Sequence, residues 1–71
     1  MDFRTWLITH HADEQSPIGD LARDVRSDTD WPTAVSDELA VYRDHLEAMD
    51  AVDEALEALD DAWDAYEAQR P

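Results

Sequence analysis

A chain of 71 residues makes one domain at most, and its core is too small to be stable without dense packing. It carries 19 acidic residues against five arginines, no lysine and no cysteine, for a formal net charge of -14. Disulfides and thiolate metal sites are therefore excluded, and direct binding to nucleic-acid phosphates or anionic membranes is disfavoured by repulsion.

Disorder is the usual fate of so acidic a chain, but 44% of the residues are hydrophobic and they recur periodically. The most apolar early stretch, Phe3 to Ile8, is short and interrupted by Arg4 and Thr5, so it reads as neither a signal peptide nor a membrane span. A cytoplasmic location is the expectation, and the absence of cysteine fits a reducing compartment.

The first helix is predicted from about Asp2 to about His10. Phe3, Trp6, Leu7 and His10 fall at i, i+3, i+4 and i+7 on one face, and Asp2 can cap the start. Ala12 to Gln15 reads as a polar loop. Ser16 as N-cap and Pro17 at the first helical position open the second helix, where Ile18, Leu21, Ala22 and Val25 repeat the spacing. Asp20 near its start and Arg23 and Arg26 near its end suit the helix dipole. Gly19, the only glycine, costs up to about 1 kcal/mol inside a helix. The reading is close approach of a neighbouring helix or aromatic ring that a Cβ would block.

Ser27 to Thr33 breaks the pattern. Trp31 precedes Pro32 and is biased toward an extended backbone. It is expected to plug the core from a loop; the competing reading is an exposed aromatic anchor for a partner. The third helix is predicted from about Asp37 to Ala48 with Ser36 as N-cap, and the fourth from about Ala51 to Gln69. Val35, Leu39, Tyr42, Leu46 and Met49 step by 4, 3, 4, 3, as do Val52, Leu56, Leu59, Trp63 and Tyr66, which marks two helix-packing seams. The second seam restarts one residue early. That slip favours a tight turn near Met49–Asp50 with Asp50 capping the fourth helix; the alternative is one continuous helix with a stammer.

Several segments in this order resemble the YozE-type SAM-like family of small bacterial proteins. They are Phe3-x-x-Trp6-Leu7, the run Ser16-Pro17-Ile18-Gly19-Asp20-Leu21-Ala22-x-Asp24-Val25, and Asp30-Trp31-Pro32. Tyr42-x-x-His45-Leu46 and Ala55-Leu56-x-x-Leu59-x-x-Ala62-Trp63-x-x-Tyr66 complete the set. Together they span about residues 3 to 66. The resemblance implies a compact four-helix, SAM-like domain; it does not imply a catalytic activity. The matching positions are core and cap residues, so it carries over no functional site. Family members often have a small polar or glycine-containing turn where this chain has Ala48-Met49-Asp50.

Two constellations invite a chemical reading. In His10-His11-x-Asp13-Glu14, adjacent helical histidines point about 100° apart and do not chelate as an i, i+4 pair does. His10 is expected in the core or at its boundary, and His45 likewise. On the fourth helix Asp53, Glu57, Asp60, Asp64 and Glu67 form one acidic stripe, with Glu54 and Asp61 beside it and no cation on that helix before Arg70. Like-charge neighbours cost about 0.2–0.5 kcal/mol each, summing to roughly 2 kcal/mol at low salt. Burial of Leu56, Leu59 and Trp63, at roughly 1.5–3 kcal/mol for each full side chain, outweighs that.

The stripe reads first as a solvated face suited to a salt-rich cytoplasm, then as a surface for a basic protein. Nucleic-acid mimicry is the extreme form of the second reading. A metal site is disfavoured because a straight helix spreads carboxylates along a rod. No phosphate loop or nucleophile motif is present. Residues 1–71 are thus expected to form one all-α, compact four-helix domain. Its expected core is Phe3, Trp6, Leu7, Ile18, Leu21, Ala22, Val25, Trp31, Leu39, Tyr42, Leu46, Leu56, Leu59, Trp63 and Tyr66. It is expected to be a monomeric, non-enzymatic interaction module with no cofactor. The candidate interaction face is Asp53, Glu57, Asp60, Asp61, Asp64 and Glu67, and the expected partner is a basic protein.

Overall fold

A computed structural model of the chain describes residues 2–32 and 38–69. Four helices follow in order: α1 (Phe3–His11), α2 (Pro17–Ser27), α3 (Leu39–Ala48) and α4 (Asp53–Gln69). No strand occurs among the described residues, so the fold is all-α. The radius of gyration, 11.0 Å, matches the roughly 11 Å expected of a compact chain of this length.

The predicted starts of α1 and α2 hold at the level of atoms. Asp2 Oδ1 accepts the Thr5 N–H at 2.9 Å, and Ser16 Oγ accepts the Gly19 N–H at 3.0 Å. Each bond satisfies one donor that the first helical turn leaves unpaired. The reason for Gly19 differs from the expected one. A Cβ there would meet neither helix nor ring but the backbone of the preceding loop, 2.8 Å from the Glu14 carbonyl carbon. Arg23 holds that loop down, its Nη1 donating to the carbonyls of Ala12 and Glu14 at 2.8 Å each. Arg23 therefore serves the loop, while Arg26 stands in the last turn of α2 where the dipole favours it.

The second half departs from expectation at the helix starts. α3 begins at Leu39, with Glu38 extended before it and making no side-chain cap bond. The predicted N-cap Ser36, the predicted first residue Asp37 and the seam residue Val35 lie outside the described residues. α3 and α4 are separate helices, as the seam slip indicated, but Asp50 does not cap α4. It sits at φ 63° just beyond α3. The Asp50 N–H donates to the Glu47 carbonyl and the Ala51 N–H to the Leu46 carbonyl, both at 3.0 Å. This is a Schellman turn, with aspartate in the left-handed position that glycine usually takes. The hydrogen bonds of the turn consume the residues up to Ala51, so α4 opens at Asp53 and Val52 is left outside it.

α4 is the hub: α1, α2 and α3 all pack on it, and α1 also packs on α2. One cluster of buried side chains results, built on Phe3, Trp6, Leu7, Leu21, Val25, Tyr42, Leu59, Trp63 and Tyr66. The Phe3 ring is fully buried and lies 5.2 Å from both Tyr42 and Trp63 and 5.4 Å from Tyr66. Trp31 closes the core, 4% exposed and stacked on Tyr42 at 5.2 Å with 10° between the rings. The plug reading is correct. Among the described residues its buried indole N–H meets no acceptor, and stacking and apolar burial hold the ring in place.

Ile18, Leu39 and Leu56 are only partly buried at the edge of the core, and Ala12, Ala58 and Ala62 are buried although not expected there. At Ala58 and Ala62 the small side chain lets neighbouring helices approach α4. Met49 and Val52, expected as seam residues, are 56% and 69% exposed. They flank the turn, where neither helix directs them inward.

Candidate functional site

A turn of about 100° per residue places Asp53, Glu57, Asp60, Asp64 and Glu67 within roughly 80° of arc on α4. Ala58, Leu59, Ala62 and Tyr66 occupy the opposite side and are buried. Core packing therefore fixes the acidic stripe outward. Asp53, Glu57, Asp61, Asp64 and Glu67 are exposed, and Asp60 is half-buried. Asp53 and Glu54 fall in the first turn of α4, where the positive end of the helix dipole offsets part of their mutual repulsion.

Asp60 is set apart from the rest. Arg43 of α3 places Nη1 2.9 Å from both of its carboxylate oxygens and Nε 3.3 Å from Glu47. The stripe thus has a cation, supplied by the neighbouring helix. The sequence holds a signal for this pair that composition along α4 does not reveal. Arg43 and Asp60 are about equally far along the chain from the turn at Asp50–Val52, so two helices folded back on each other bring them together.

The histidines do not gather. His10 is exposed rather than at the core boundary, its ring 5.8 Å from Trp6. His11 takes the half-buried place beside Trp6, with Nδ1 2.8 Å from Glu14. Helix α1 ends at His11, one residue beyond its predicted end. Among the described residues no three His, Asp or Glu side chains converge on a point where an ion would sit.

His45 meets Asp28, with Nε2 and Oδ2 2.7 Å apart, and its ring stands edge-on to Trp31. Asp28 ends α2, and its Oδ1 accepts the Asp30 N–H at 2.9 Å. These bonds, the one from His45 first, hold the Asp28 carboxyl below its ordinary value of 3.8. Asp2 is lowered in the same sense by its bonds to Thr5. An Asp–His pair is half of a nucleophile-activating arrangement, but among the described residues no hydroxyl bonds to the other ring nitrogen. The pair instead ties the end of α2 to α3 beneath Trp31. Neither Asp28 nor Arg43 stood out in the sequence, because their partners lie 17 residues away.

The surface also carries two shallow open grooves along α2. One is walled by Val25, Trp31, Leu46 and Met49; the other by Leu21, Val52 and Ala55; Asp24 lines both. No helix among the described residues is long and apolar enough to cross a membrane.

The architecture is that of a small all-α domain with a SAM-like arrangement and an outward acidic helix. A family model for the YozE SAM-like fold matches residues 3–68, nearly the whole chain, and the protein belongs to that family. Neither curated proteins nor solved structures yield a match to the chain.

Proposed function

We propose that the protein is a non-catalytic interaction module, acting as a monomer in the bacterial cytoplasm, that engages a basic protein. The observation that carries this reading is the exposure of Asp53, Glu57, Asp61 and Asp64 on one face of α4, turned away from the core. Arg43 joins Asp60 and leaves that row of four facing solvent. Such a row presents negative potential over several turns, which steers a cationic surface and raises its rate of encounter.

The test is capture from extracts of the source cells with the wild type and with a variant carrying Asp53→Asn, Glu57→Gln, Asp61→Asn and Asp64→Asn. Any captured protein is then purified and titrated. The expected result is a basic partner whose affinity falls at least about tenfold for the variant. Equal affinity for both would refute the role of the acidic face. Nucleic-acid mimicry makes a further demand: duplex DNA must displace the protein from that partner.

A further inference from the structure

Two large hydrophobic side chains are exposed among the described residues, Met49 at 56% and Val52 at 69%, and they lie three residues apart across one turn. The turn holds them there. Met49 closes α3, Asp50 is in the left-handed conformation, and Val52 stands just before α4, so neither helix can rotate them into the core. Each lines one of the two grooves along α2, and Asp24 joins the grooves to each other. Behind Met49 the apolar floor reaches Trp31 and Val25.

The charged residues lining these grooves are all acidic: Asp20, Asp24 and Glu54 around one, Asp24 and Asp28 around the other. An apolar strip bordered by carboxylates is complementary to an apolar segment bordered by Lys or Arg. It is not complementary to a second copy of this chain, because two molecules each of formal charge -14 repel. We infer that the α2 grooves and the Met49–Val52 turn form a docking surface for an amphipathic basic segment of another protein. On this inference apolar residues cover Met49 and Val52 while cations meet Asp24 and Glu54. It rests on the proposed interaction role but moves the specific contact from the outward face along α4 to the turn before that helix and the adjoining side of α2. There apolar burial adds affinity that charge alone does not supply.

The test uses the full chain and two synthetic peptides of about 14 residues, roughly 21 Å of helix. One places Leu at i, i+3, i+4 and i+7 among Lys to make an amphipathic helix; the other has the same charge with every Leu replaced by Gln. Binding is followed by isotope-edited NMR at low salt and at about 0.5 M KCl, where exposed charges are largely screened. The expected result is that the Leu peptide binds and shifts Asp24, Val25, Met49, Ala51 and Val52. The pair Met49→Ser and Val52→Ser should weaken it at least about tenfold at the higher salt, with an unchanged melting curve. Asp24→Asn with Glu54→Gln should weaken it mainly at low salt.

Equal binding of both peptides, lost only in the Asp53, Glu57, Asp61 and Asp64 variant, would overturn this inference and leave the acidic-face reading standing. Binding of neither would overturn this inference, and the capture experiment would still decide the acidic-face reading. Sedimentation showing a dimer that Met49→Ser and Val52→Ser dissolve would also overturn it, by making the surface self-associating.

Discussion

Gly19 lies in the first turn of α2, pressed against the backbone of the loop that leads into it. Helix propensity by itself says that alanine at position 19 gains about 1 kcal/mol. The Glu14 backbone against α2 reverses the sign, because a Cβ there forces the Arg23-clasped loop to move. Gly19→Ala is expected to destabilise by about 1–3 kcal/mol in a denaturant melt, the usual cost of overpacking. At Asp50 the opposite change helps. Its φ of 63° costs an L-residue roughly 1 kcal/mol that glycine avoids. Asp50→Gly should therefore raise the midpoint of unfolding, and a lowered midpoint would mean that the aspartate side chain contributes more than its backbone costs.

Between elements, polar ties add to the packing of the core, near helix ends for Asp28 and His45 and within the helices for Arg43 and Asp60. Asp28 joins α2 to α3 through His45, and its carboxyl is held below 3.8 by that bond and by the Asp30 N–H. A lowered folded-state pKa means that the carboxylate stabilises the fold above about pH 4 and that this contribution fades as pH falls through the folded value. Asp28→Asn should cost about 1 kcal/mol near neutral pH, the scale of one partly buried hydrogen bond, and the gap to wild type should close in acid. A gap that persists unchanged at low pH would show that the charge is irrelevant. The acidic stripe of α4 makes a separate prediction. Circular dichroism melts from about 0.05 M to about 3 M KCl should show stability rising steeply at the low-salt end, as repulsion among Asp53, Glu57, Asp61 and Asp64 is screened. Arg43→Gln should steepen that dependence, since it removes the cation at Asp60. A flat salt response would mean that the dipole and Arg43 already offset the repulsion.

For the whole molecule, stability concentrates in one aromatic cluster that joins all four helices. Phe3 brings α1 against Tyr42 of α3 and Trp63 and Tyr66 of α4, while Leu21 and Val25 close it from α2. A domain of this size has only a few kcal/mol to lose. Trp63→Ala is expected to cost about 3–5 kcal/mol and to leave the chain unfolded at ordinary temperature by near-ultraviolet circular dichroism. A loss below about 1 kcal/mol would show that the cluster is not what holds the helices together.

Local patterns in the sequence determined the all-α class, the caps at Asp2 and Ser16, the separation of α3 from α4, the family and most of the core. The class, the caps, the helix break and the core pattern depend on residues within one or two helical turns of each other, where periodicity and capping chemistry act directly, and the family on the order of such segments along the chain. The acidic face of α4 was equally legible, because a helix with one buried side has only one side left for its charges. Tertiary structure decided the rest. It showed that Met49 and Val52 face solvent, because a Schellman turn between the helices ends both seams before they reach those residues. It set Ala58 and Ala62 in the core, because helix approach rather than hydrophobicity selects small side chains there. It joined Arg43 to Asp60 and His45 to Asp28, because charge partners across 17 residues are chosen by how helices pack and leave no periodic trace along the chain.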